Sequence, residues 1–252
     1  MANTQVATRP ERGLSAAAER ALLTGGLVAA FFAAYFAIGW STDPATGRSL
    51  ASAVDARIPF VPDTVFLYGG VYTGVLLPLF LIRCPELFRR VAAAYALLIA
   101  ISMVCFALFP VSAIGLRADL GALDSSRFAT WGLRLVYALD PPVNLFPSVH
   151  VAVATLAACA CWKARRSFGA LACVWAVLIA ISACTTKQHF AVDALAGVGL
   201  GAGVHRVLVH PYRKNDPRPP HYSGRGLLLF AAFHASFMTA MYAAFRAGVG
   251  PA

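Results

Sequence analysis

Charge is scarce along this chain. Asp, Glu, Lys and Arg make up 13% of its 252 residues, against 59% hydrophobic ones, and the mean hydropathy is +0.68. A soluble fold of this length needs roughly a quarter of its residues charged to cover its surface, so the bilayer is the solvent that this composition fits. Acidic residues are scarcer still, 11 against 21 basic, for a formal net charge of +10. In a soluble protein that excess points to nucleic acid. Here the basic residues lie mostly between apolar runs, where the Lys and Arg bias of cytoplasmic loops accounts for them, and no nucleic-acid partner is expected. Cysteine is limited to six residues, at 84, 105, 159, 161, 173 and 184. Nearly all lie inside apolar segments, without paired spacing or histidines at metal-ligand distance, which excludes a disulfide framework and a Cys/His zinc site. A strand-borne nucleotide loop is also missing. The sequence GVGLGAG at 197–203 lies within an apolar run, where Gly197 with Gly201 and Gly199 with Gly203 have the small-xxx-small spacing that lets helices approach closely.

Apolar runs are abundant. About 20 such residues cross the hydrocarbon core of a bilayer, and spans are expected near 21–40, 64–82, 91–110, 146–163, 168–185, 190–209 and 227–246. The expected fold is an all-α polytopic membrane bundle. It comprises a cytoplasmic tail at 1–20, a six-span core at 21–210, a basic cytoplasmic loop at 211–226 and an additional seventh span within 227–252. The first apolar run is longer than a signal-peptide core, so it is read as a span rather than as a leader cleaved at Ala51-Ser52-Ala53. An N-inside arrangement puts fourteen of the 21 Lys and Arg residues inside and seven outside, in keeping with the positive-inside bias. An integral protein of a bacterial-type inner membrane, with a cytoplasmic N-terminus, is the expected location.

Polar groups at membrane depth are costly and mark functional sites. Phe146-Pro147-Ser148-Val149-His150 opens the fourth span, with Pro147 suited to a first helical turn and Ser148 and His150 near an end whose free N–H groups attract anions. Thr185-Thr186-Lys187-Gln188-His189 precedes the sixth span. Asp193, the one carboxylate expected within a span, follows His189 by four residues on the same helix face. The span order brings the 111–145 loop, His150, Lys187 and His189 to a single side of the membrane, the outside in the N-inside arrangement.

Two histidines, a buried carboxylate and several cations have a joint use in phosphoryl transfer. His189 can attack phosphorus while Asp193 holds its other nitrogen protonated, and His150 can serve as general acid and then general base. Lys187, Ser148, Arg117, Arg127 and Arg134, with helix N-terminal amides, are candidate partners for the phosphate oxygens. The His-x-x-x-Asp pair lacks a third ligand, so neither metal nor cofactor is expected. His205, His210, His221 and His234 have no such company and are assigned to structure or loop surface.

At these motifs the sequence resembles the type 2 phosphatidic acid phosphatase superfamily, over about residues 91–210. The family's Pro-Ser-x-His motif is met by Pro147, Ser148, Val149 and His150. Its third motif, Ser-Arg followed by His and then Asp, is met by Ser182, His189 and Asp193, with Ala183 where the arginine is expected. The resemblance implies a helical core, a phosphohistidine on His189 and His150 as general acid. Lys187 is the candidate to stand in for the arginine. The first motif, Lys then Arg-Pro, is absent as such, and Arg117, after Phe109-Pro110, is the preferred equivalent over Arg127 and Arg134. The wording FPSVHVAVA and TTKQHFAVDALAG looks most like the branch related to inositol phosphorylceramide synthases. The expected substrate is a lipid phosphate, with water or an alcohol, free or lipid-borne, as acceptor. The alternative is a non-catalytic lipid-binding or transport protein that retains the fold; it explains Ala183 but not the retention of His150, His189 and Asp193 together.

Overall fold

The structure is a computed structural model that describes residues 15–212 and 222–250. The first fourteen residues, most of the basic 211–226 loop, and His221 lie outside the described part. Helix α1, Ala16–Ser41, starts where the Ser15 side chain accepts the N–H of Ala18. A short α2, Ala53–Arg57, follows. The run at 64–82 is not one helix: it divides into α3 (Val65–Gly69), α4 (Val71–Gly74) and α5 (Leu77–Leu81). The expectation of a single second span is corrected by its glycines and by Pro78. Gly70 lies against the Trp175 indole, where a Cβ would meet the ring at 2.8 Å, and Pro78 cannot continue a helix from the preceding turn but can begin one.

Helix α6 spans Pro85–Leu108. The 111–145 connection, expected as a loop, contains α7, Phe128–Leu139, which buries Ala129, Leu133 and Val136 along one face. Twelve residues are too few to cross a bilayer, and Pro141-Pro142 bars extension. Helix α8 is Val149–Ala164, α9 Arg166–Thr185 and α10 Ala191–Val204, the last continued by a π-helical turn at His205–Val209. Helix α11, Gly224–Arg246, completes the bundle. Pro147 sits before the helix rather than in its first turn, because Ser148 is the N-cap of α8.

By length and composition, five stretches among the described residues can cross a membrane: α1, α6, α9, α10 with its π turn, and α11. The 16-residue α8 reaches about 24 Å, short of the hydrocarbon core. The chain is therefore an all-α polytopic bundle. Large apolar side chains such as Leu108, Leu171, Leu195 and Leu228 are left exposed on its outside, as a lipid-facing surface requires.

Backbone bonds tie one end of the bundle together. Arg48 N–H donates to Pro110 O at 2.9 Å, Val61 N–H to Thr185 O at 2.9 Å and Ser148 N–H to Asp193 O at 3.0 Å. The ends of α1, α6 and α9 and the starts of α8 and α10 meet there.

Only one of the two glycine pairs is in tight contact. Gly197 and Gly201 lie against α8, where a Cβ on Gly197 would meet the Ser148 carbonyl oxygen at 2.5 Å, whereas Gly199 and Gly203 face open space. Gly197→Ala should therefore push α10 away from the start of α8, costing about 1–3 kcal/mol of stability and about 10²-fold in turnover through misplacement of the two helix starts. Gly199→Ala should leave both unchanged. Thermal unfolding and turnover of the two variants side by side check this, and equal behaviour would remove the close-packing argument.

Candidate active site

The segment that carries His189 is fixed by how α9 stops. Beyond Thr185, Lys187 adopts a left-handed backbone with φ 56°, Lys187 N–H donates to Cys184 O at 3.1 Å and Gln188 N–H to Ala183 O at 3.0 Å. This is the paired closure of a helix C-terminus that glycine usually provides, because a side chain costs about 1–2 kcal/mol in that conformation. Lys187 offsets the strain with its ammonium, which donates to the carbonyls of Ile58 at 2.6 Å and Asp55 at 3.3 Å.

The same segment, residues 52–58, grips α10. Asp55 Oδ1 accepts the Ala191 N–H at 2.7 Å and Oδ2 accepts from the Ser52 backbone and hydroxyl. Burial pushes the Asp55 carboxyl up, but the hydrogen bonds from Ser52 and Ala191 outweigh it and hold the group below its ordinary value, so it is a carboxylate at neutral pH.

Four residues after His189, Asp193 occupies the first turn of α10, and its Oδ2 accepts the Phe190 N–H at 2.9 Å. That oxygen also lies 3.6 Å from His189 Nδ1. On the other side, His189 Nε2 is 3.4 Å from His150 Nδ1. The three side chains form a row that is almost wholly buried, with His150 6%, His189 3% and Asp193 0% exposed. His150 has a second set of neighbours. Its Nε2 lies 3.8 Å from Asp140 Oδ1, and the Tyr68 hydroxyl, 3.0 Å from His150 Nδ1, donates to Asp140 Oδ2 at 2.9 Å.

The candidate phosphate partners divide by position. Arg117 reaches the site: its guanidinium donates to Tyr137 O, Asp140 O and Gln188 Oε1 at 2.8–3.0 Å and lies over the Tyr137 ring. Its Nε, with Gln188 Nε2, His189 Nδ1 and Asp193 Oδ1, is among the buried polar atoms without a hydrogen-bond partner. Such atoms are rare in folded proteins and collect where a polar ligand or water is accommodated. Ser148 is fully buried, and its hydroxyl caps α8 at Val151 N–H. Lys187 is held by the carbonyls of residues 55 and 58, and Arg127 is paired with Asp63 on the exposed surface at 2.9 Å. Arg134 is half-buried on α7. Ala183 is fully buried in the cluster of Val65, Tyr68 and Leu133, so its side chain belongs to the core. Away from this site, His234 Nδ1 is 2.8 Å from the Thr73 hydroxyl, His205 touches His210, and His210 bonds Arg206.

Asp140, Tyr68, Gln188 and Asp55 were not among the residues singled out by sequence. Asp140 stands before Pro141-Pro142 and reads as a turn, and Tyr68 reads as one more aromatic in an apolar run. The signal for Asp140 is its scarcity, since only 11 carboxylates are available.

No curated protein and no solved structure matches the chain. The PAP2 superfamily matches residues 64–207, a segment that runs from the start of α3 into the π-helical turn and holds His150, His189, Asp193, Asp140 and Arg117. With more than half its length in that match, the chain belongs to the PAP2 superfamily, a phosphatase-type family.

Proposed function

We propose that the protein cleaves or transfers a lipid phosphate ester through a phosphohistidine on His189, without a metal. The observation that carries this reading is the buried row from His150 Nδ1 through His189 to Asp193 Oδ2, with steps of 3.4 and 3.6 Å. His189 Nε2 attacks phosphorus, the P–N bond forms, and the P–O bond to the lipid alcohol breaks. The leaving oxygen takes a proton from His150. In the second half-reaction, water or an acceptor alcohol gives its proton to His150 while its oxygen replaces His189 on phosphorus. Asp193 steadies the positive charge on His189, and Asp140 offers a counter-charge to the imidazolium at His150. A nucleophile and its target atom start about 3–3.5 Å apart, so the two imidazoles must part to admit phosphorus between them. Arg117, presented beside His189 through Gln188, is the favoured partner of the phosphate oxygens.

The distribution of basic residues supports a site at the outer face of a bacterial-type inner membrane. The wording of the two histidine motifs supports a headgroup transferase of the inositol phosphorylceramide synthase type alongside a lipid phosphatase. Purified protein in detergent, with chelator present, is to be given phosphatidic acid, a prenyl diphosphate and phosphoinositide-type donors, with and without ceramide or diacylglycerol. Free phosphate identifies a phosphatase, and a new phospholipid that forms only with acceptor identifies a transferase. Activity that needs added divalent metal removes the metal-free mechanism. No product from any donor favours a lipid-binding protein, for which Ala183 in place of the family arginine is the motivating observation.

A further inference from the structure

Gln188 stands between His189 and Lys187, whose ammonium is engaged by the carbonyls of residues 55 and 58. It is 2% exposed, and a carboxamide buried that deeply brings two N–H donors and a carbonyl oxygen that need partners. Its backbone is pinned, since the N–H groups of Gln188 and His189 both donate to Ala183 O at 3.0 Å. The side-chain Oε1 accepts from Arg117 Nη2 at 3.0 Å. A guanidinium only donates, so this bond fixes which way the amide faces. The other amide atom, Nε2, has no hydrogen-bond partner among the described residues.

Arg117 relates that donor to the two histidines. The same Nη2 that holds Gln188, the chain neighbour of His189, also donates to the carbonyl of Asp140 at 2.8 Å, and the Asp140 carboxylate faces His150 Nε2 across 3.8 Å. The guanidinium thus links the flanks of the two imidazoles, beside the 3.4 Å gap that phosphorus must open. Tyr137 steadies the arrangement. Its ring lies under Arg117 at 4.8 Å, and its hydroxyl donates to Thr186 O at 2.8 Å. Arg117 Nε and Gln188 Nε2 are therefore oriented ahead of any substrate, the condition under which a hydrogen bond lowers a barrier without reorganisation.

Resting on the phosphoryl-transfer reading above, we propose that Gln188 is a catalytic residue whose Nε2 donates to a nonbridging oxygen of the phosphate in the transition state. Ala183, where the family motif has arginine, has no side-chain donor to offer, and its carbonyl instead fixes the backbone of Gln188. A neutral donor acts differently from a cation. Charge attracts a phosphate in the ground state and the transition state alike, whereas a fixed N–H bond discriminates by position. As the P–N bond forms and the P–O bond lengthens, the three nonbridging oxygens move into one plane across the line of displacement. Gln188 strengthens its bond to one of them at that point and exchanges no proton.

Gln188→Met keeps the length of the side chain and removes both amide groups. Full-length protein in detergent, given the donors named above, should show kcat lower by about 10²-fold with little change in KM. Thermal unfolding should stay within a few degrees of the wild type, because Nε2 makes no bond in the fold and Arg117 Nη2 keeps the Asp140 carbonyl. Two comparisons separate a direct contact from one made through Arg117. In the Arg117→Ala background, Gln188→Met should still cost about tenfold or more; no further loss makes Gln188 a support for Arg117 and overturns the proposal. Gln188→Glu keeps the acceptor for Arg117 and loses the donor, so it should be at least as impaired as Gln188→Met, and turnover near the wild-type rate likewise overturns the proposal.

A binding measurement does not depend on turnover. Orthovanadate, which takes the five-coordinate shape of a phosphoryl group in transfer, and inorganic phosphate, which does not, are titrated calorimetrically into the wild type and Gln188→Met. Orthovanadate should bind the variant about 10²-fold more weakly, with a smaller loss for phosphate. An unchanged orthovanadate affinity, or equal losses for both anions, overturns the transition-state contact. Wild-type protein that consumes donor at the same rate as Gln188→Met overturns the contact and leaves the phosphoryl-transfer reading standing. Wild-type protein that consumes no donor but binds orthovanadate through Gln188 upholds the contact and retires that reading instead.

Discussion

His189→Ala should abolish turnover, with kcat lower by about 10⁵–10⁶-fold, the scale seen when a nucleophile is removed from a catalytic unit. The substitution takes away the atom proposed to bond phosphorus and leaves His150 without an imidazole facing it. The fold should survive. The His189 backbone N–H, which donates to Ala183 O at 3.0 Å, is unaffected, and Nδ1 makes no hydrogen bond that would be lost. The imidazole is buried, so its removal leaves a small hole and a stability loss of about 1–3 kcal/mol. Donor consumption, together with trapping of acid-labile, alkali-stable phosphate on the protein from a labelled donor, makes the check. Both signals should disappear in the variant while thermal unfolding shifts by only a few degrees. Retained turnover, or a phosphoenzyme that persists without His189, would place the covalent step elsewhere.

How far such a site can be read from sequence depends on whether its members look out of place. The long spans are legible because the bilayer demands apolar length, and α1, α6, α9, α10 and α11 fall where the runs are. His150, His189 and Asp193 are legible because each interrupts such a run. The 3.4 Å approach of His150 to His189 follows from α8 and α10 being drawn together at Gly197, a contact that spacing suggests but does not assign to one glycine pair, whereas the 3.6 Å step to Asp193 is local to the start of α10. Tyr68 is hidden because its ring is at home in an apolar run and only its hydroxyl is chemical. Asp140 is hidden because Pro141-Pro142 makes it look like the end of a loop. Lys187 shows another limit. A cation two residues before His189 invites a phosphate contact, yet its carbonyl partners, at 55 and 58, lie about 130 residues earlier in the chain, a distance that no local pattern spans. The break-up of the 64–82 run was marked by Gly69-Gly70, Gly74 and Pro78, but hydropathy averaged over a window passes over single residues.

Asp193→Asn should lower kcat by about 10²–10³-fold with little change in KM, because the amide keeps the shape of the side chain and removes its charge. Asp193 has two roles in the structure. One carboxylate oxygen closes the start of α10 by accepting the Phe190 N–H, and the carboxylate faces His189 Nδ1 across 3.6 Å. Asparagine preserves the first role through its carbonyl oxygen, so α10 should remain capped and the protein should unfold near the wild-type temperature. It weakens the second. The oxygen that caps is the one that faces Nδ1, so the tautomer is kept, but the neutral amide gives no counter-charge to the imidazolium that forms. Asp193→Ala separates the two roles, since it should match the asparagine variant in kcat and lose a further ~1 kcal/mol of stability with the cap. If Asp193→Asn instead turns over at the wild-type rate, orientation of His189 must come from the Lys187–Asp55 latch alone, and Asp193 is a cap and nothing more.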